Sequence, residues 1–152
     1  MTRGNARELA VHLIYAREFT GDEPQMVIAS RLEKEYYGKL SEESYVYEDR
    51  PSRAQRAYID SVVMGVANRV DELNENIRKL SVGWDISRIS RLARTVMQLA
   101  MFEILYVEDV PTGVAISEAV RIVKLYDGDD TGSFVNGILG SFARSLPSEV
   151  EI

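Results

Sequence analysis

The chain has no cysteine, one histidine, one tryptophan and four prolines in 152 residues. The missing cysteines exclude disulfides and thiolate metal sites. His12, the lone histidine, sits beside the core candidates Leu13 and Ile14, and acid–base work would require a partner group. It reads as a helix-surface or satisfied core side chain. Long apolar runs are also missing. The most apolar stretch, "TVMQLAMFEILYV", spans 13 residues and contains Glu103, too short to cross a bilayer. The opening "MTRGNARELA" has polar residues where the apolar centre of a signal peptide would lie. A cytoplasmic protein with no membrane partner is the expectation.

Chemistry-bearing motifs are scarce too. There is no phosphate-cradling G-x-x-x-x-G-K, no G-x-S-x-G and no H-E-x-x-H. "DGDD" at 127–130 invites a calcium-loop reading, and Gly132 falls at the sixth position of such a loop. Ile138 stands where the bidentate glutamate is required, so a capping turn is the better reading. Glu103 lies among Met101, Phe102, Ile104 and Leu105, where a lone carboxylate bonded to a helix end, a tyrosine or an arginine is expected. Nothing here assembles a reaction. The expectation is a protein that is not an enzyme and holds no cofactor or metal.

What the sequence does contain is helical periodicity. The net charge is −6, yet charge is uneven: Arg88, Arg91 and Arg94 occur without an acid between them, and Arg3 and Arg7 lie next to the terminal amine. Basic patches of this kind fit a phosphate backbone and equally fit a solvated helix face. "NARELAVHLIYAREF" repeats apolar residues at i, i+3 and i+4, with Asn5 as the expected N-cap and Glu8 completing a capping box. A second helix is expected over "PQMVIASRLEKEYYGKL". A third is expected to run unbroken from Arg53 to Leu80, and a fourth from about Ile86 to Tyr106. "VAISEAVRIVKLY" makes a fifth. "SFVNGILGSF" falls in a sixth, capped by Asp130 or Thr131. No strand-length alternation occurs. The fold class is therefore all-α, six to seven helices in a compact bundle with halves of roughly 1–82 and 83–146, followed by an acidic tail at 147–152.

Three segments carry a family resemblance. "RGNARELAVHLIY" resembles the arginine-bearing first helix of the NusB transcription antitermination factors. "LAMFEILYVEDVPTGVAISEAVRIVKLY" is similar to that family's A-x-[YF]-E, V-P and [IV]-[NS]-E-A-V succession, and "FVNGIL" to its F-V-N-G-[VI]-L. Trp84 and Arg88 fit its W-x-x-x-R entry into the fourth helix. The resemblance covers nearly all of the chain outside roughly 23–53. It implies an all-helical fold of two three-helix halves. It also implies a non-enzymatic factor that binds boxA RNA with the ribosomal protein NusE and joins RNA polymerase and other Nus factors to suppress termination on ribosomal RNA operons.

On that resemblance Arg3, Arg7, Lys124, Phe134 and Asn136 are the expected RNA contacts, with Phe134 or Tyr15 as a stacking platform for an unpaired base. Arg88, Arg91 and Arg94, at i, i+3 and i+6, are expected to face the partner protein, with a second RNA contact as the alternative. Asn136 and Phe134 also have purely structural readings, as a tie to a neighbouring helix and an apolar contact onto the next turn. Gly137 and Gly140 are expected to let neighbouring backbones approach closely, which would offset their cost to the helix. Two arginines precede Glu8 where the family often has more, so weak binding to RNA alone and reliance on the partner are expected. Two other readings compete: a NusB-like domain related to rRNA cytosine methyltransferases, and a protein-only interaction bundle. Some family members form homodimers, and these residues leave oligomeric state open.

Overall fold

Thr2 begins the first helix: its side-chain oxygen accepts from the Asn5 amide at 3.0 Å. The start therefore lies three residues ahead of the expected cap. Asn5 is inside the helix, and Glu8, rather than reaching back to an N-terminus, is buried. The structure, a computed structural model, describes residues 1–33, 45, 49–83 and 89–147. Among these residues the helices are α1 (Arg3–Thr20), α2 (Pro24–Arg31), α3 (Arg53–Asn68), α4 (Val70–Leu80), α5 (Arg91–Tyr106), α6 (Thr112–Asp127) and α7 (Asp129–Ser145). No strand occurs among them, and none of the helices is long and apolar enough to cross a membrane.

The helix expected over 53–80 is two helices. Arg69 leaves helical geometry (φ −124°, ψ 18°) and its amide closes a tight turn on the Val66 carbonyl at 3.2 Å. The apolar repeat stays in phase across this break, so periodicity alone reads through it. Charge marks it instead: Asp71 and Glu72 open α4 and Arg78 and Lys79 close it, each sign complementing the helix dipole. α2 stops at Leu32, short of the expected extent; residues 34–40 lie outside the described set, as does most of the acidic 41–52 connection. α5 starts at Arg91, with Ser90 as its N-cap, instead of near Ile86.

The chain divides into two compact units, Met1–Arg69 and Val70–Ile152. In the first, α1, α2 and α3 pack on one another. Leu9, Ala10 and Leu13 of α1, Val27 and Ile28 of α2, and the Ile59, Val62, Val63 and Val66 stripe of α3 are all buried in its interior. Ser52 and Gln55 form a complete capping box at α3, and the Gln55 amide also donates to the Met1 carbonyl. The chain start is thereby tied to the helix that carries Tyr58.

In the second unit α5 packs against α4, α6 and α7, and α7 also packs on α4 and α6. Every residue from Thr95 to Glu103 is buried, as an almost uniformly apolar helix requires. The buried Gln98 satisfies its amide by donating to Asn74 of α4 at 2.7 Å. Gly128 alone joins α6 to α7, at φ 89° and ψ 179°, a conformation open to glycine and few others. α7 therefore starts at Asp129 with no side-chain cap, and neither Asp130 nor Thr131 serves as one; the Thr131 hydroxyl donates back to the Asp127 carbonyl.

Candidate nucleic-acid interface

The expected RNA contacts fall into two groups, one in each unit. In the first, Arg3 and Arg7 lie four residues apart on α1, so their side chains project from one face. Both turn toward Tyr58 of α3, their guanidinium carbons 4.6 and 5.9 Å from the ring centroid. Such cation–π contacts hold a guanidinium in place while leaving its N–H groups able to donate. The two arginines nonetheless differ in access. Arg3 faces solvent, whereas Arg7 is 3% exposed. Arg3 is the phosphate-accessible member, and Arg7 backs the ring that supports it.

Two further tyrosines make contacts along α1, Tyr45 near its arginine-bearing end and Tyr15 near its C-terminal end. Tyr45 donates its hydroxyl to both carboxylate oxygens of Glu8, at 2.6 and 2.7 Å, which satisfies a carboxylate with no solvent exposure. This contact joins Tyr45 to the arginine-bearing helix. Tyr15 is half-buried and meets Phe19 edge-on, with centroids 5.0 Å apart. Phe19, in the last turn of α1, is the more exposed of the pair, at 61%.

In the second unit, Lys124 occupies the last turn of α6 and Asn136 the second turn of α7; both are exposed. The Lys124 side chain lies directly across Gly132 of α7. A Cβ at Gly132 would meet its Cγ at 2.7 Å and its Cε at 3.0 Å. Gly132 and Asn136 are one turn apart on α7, so this arrangement brings Lys124 and Asn136 to one side of the helix. Phe134 is half-buried and, two residues from Asn136, projects from the opposite side of α7. The structure does not gather Phe134 with Asn136.

The two other α7 glycines overturn an expectation. Gly137 is exposed and a Cβ there would meet nothing within 4 Å among the described residues; at Gly140 the atoms nearest to a Cβ belong to the guanidinium of Arg144, one turn on in the same helix. Among the described residues neither is closely approached by a neighbouring backbone. The glycine in close contact is Gly132, and what it admits is a lysine side chain.

Of the arginines expected to face a partner, Arg88 lies outside the described residues, together with Trp84. Arg91 is exposed in the first turn of α5, and Arg94 is half-buried one turn on. Arg94 lines a groove of about 420 Å³ with Asp71, Asn74, Glu75, Ile77 and Arg78, where Arg78 pairs with Glu75. The lining combines two acids, two arginines and an amide with the apolar Ile77, a surface of mixed charge.

Exposed cations on helix surfaces and, in the second unit, a groove of mixed charge define the chain as a helical binding protein. It belongs to the NusB family, whose model matches residues 4–144. A relative from Acetivibrio thermocellus, the transcription antitermination protein NusB, is 38% identical over 144 residues, covering 95% of this chain and 90% of that one. Among solved structures, T. maritima NusB superposes with a TM-score of 0.79 at 23% identity, over 98% of this chain and 95% of that one. A chain from the crystal structure of antitermination factors NusB and NusE in complex with dsRNA gives 0.72 at 22% identity, over 95% and 97%. These two likenesses establish the shared fold.

Proposed function

We propose that this chain is a transcription antitermination factor that binds boxA-type RNA together with the ribosomal protein NusE. The observation that carries this reading is the end-to-end relationship to a protein named for that activity, at 38% identity. In this reading the chain is a cytoplasmic binding protein, not an enzyme, and with NusE it joins RNA polymerase and other Nus factors on ribosomal RNA operons. The whole chain acts as a single RNA-binding domain. Arg3, braced by Tyr58 and Arg7, and Lys124 with Asn136 contact the RNA; Phe134 stacks on a base; Arg91 and Arg94, with Arg88, face the partner.

A second reading, a bundle that binds only protein, draws on the acidic net charge and the burial of Arg7. Competition separates the two. A labelled boxA-type RNA bound by the chain with NusE is challenged with excess unrelated RNA of equal length. Retention of the labelled strand supports the antitermination factor; its complete displacement supports the protein-only bundle.

A further inference from the structure

α6 and α7 are joined by one residue, so the last turn of α6 is laid against the first turns of α7. Gly132, in that part of α7, is buried, and what covers it is the stem of Lys124. The position a Cβ would take is 2.7 Å from Cγ, 3.4 Å from Cδ and 3.0 Å from Cε of that lysine. Three successive methylenes therefore occupy the space that any other residue's side chain would fill. The residue as a whole is still exposed, which leaves the ammonium at the outer end of the slot. A lysine stem buried along an apolar surface with its charge in water is a familiar arrangement. Here the slot exists only because position 132 has no side chain.

We propose that Gly132 is a positioning residue for RNA binding: it holds Lys124 stretched across α7 and presents its ammonium beside Asn136 to one RNA phosphate. The inference rests on the proposed function. Its physical basis is entropic. A free lysine side chain samples many rotamers and loses that freedom on gripping a phosphate; a stem already laid in a slot has less to lose. The competing role for the same lysine is offsetting the charge of the exposed Asp127, Asp129 and Asp130 at the α6–α7 junction, which would make Gly132 a matter of folding alone.

The experiment is a double-mutant cycle on the full chain in the presence of NusE, with boxA-type RNA as probe. Wild type, Gly132→Ala, Lys124→Ala and the double variant are titrated at several salt concentrations, and each is melted without RNA. Gly132→Ala is expected to weaken RNA binding about three- to tenfold, the scale of one lost phosphate contact. Lys124→Ala should weaken it comparably and lower the salt slope by about 0.7. The double variant should bind no worse than Lys124→Ala. Should Gly132→Ala lower the melting temperature by crowding the stem, the double variant, lacking the stem, should restore it. Equal losses from Gly132→Ala with and without Lys124, or no loss at all, overturns the positioning role. Failure of the wild type to bind RNA overturns the functional reading itself and this inference with it, a result distinct from either.

Discussion

Arg3 and Arg7 differ by one helical turn, yet the structure separates their work. Arg3→Ala removes an exposed cation, so the melting temperature should hold while the salt slope of RNA binding falls by about 0.7, as one phosphate contact is lost. Arg7→Ala removes a buried side chain that shares the Tyr58 ring, and should cost about 1–3 kcal/mol of stability; chemical denaturation reads this directly. Equal effects of both on salt slope, with neither affecting stability, would contradict the division. The sequence shows both arginines as cations of one face. It does not show which is buried, because that depends on how α1 packs on the other helices of its unit, Tyr58 of α3 lying some fifty positions away. Gly132 was hidden for a related reason: its partner is a methylene chain on another helix, and no periodicity marks it. His12 is legible only in part as well. Burial pushes its pKa below the usual 6.5, Glu8 opposes this and Arg31 adds to it. The unfolded chain therefore takes up this proton at higher pH than the folded one. The stability His12 contributes is complete above about pH 6.5 and declines as the pH falls from there to its folded pKa. His12→Gln should remove this part of the pH dependence, seen as the difference between the two stability–pH curves; identical curves would refute the lowered pKa.

Helix interiors were readable and helix ends were not. The apolar repeat locates α1, α3, α5, α6 and α7 because burial of one face stabilises the element as a whole. Caps depend on single hydrogen bonds, and several residues compete for each. Thr2 displaced Asn5, Ser90 set the start of α5 well after Ile86, and Gly128 took the place of Asp130 and Thr131. The interruption at Arg69 carries no glycine or proline to announce it. Ser90 joins two elements, since its hydroxyl oxygen accepts from the Ala93 amide and its proton goes to Asp127 at the end of α6. Ser90→Ala should therefore lower stability by about 1 kcal/mol, the usual worth of an N-cap, measured by urea denaturation. Gly137 tests the opposite sign. Because its surroundings are open, Gly137→Ala should stabilise the protein by about 0.5–1 kcal/mol through helix propensity. A loss of stability there would show that a close contact had been missed.

For the molecule as a whole, the resemblance carried by "FVNGIL" and the arginine-bearing first helix placed the chain in the family to which it belongs. The fold follows from composition and periodicity, while the function follows from that relationship together with the exposed cations. A net charge of −6 disfavours indiscriminate RNA binding, so local cations and a partner protein must supply the affinity. The most direct test of this account is a titration of boxA-type RNA into the chain, with and without purified NusE, at two salt concentrations. The account predicts weak binding by the chain alone, a marked gain in affinity with NusE, and weakening at the higher salt in both cases. RNA affinity that is absent with NusE present, or identical with and without it, would contradict the account.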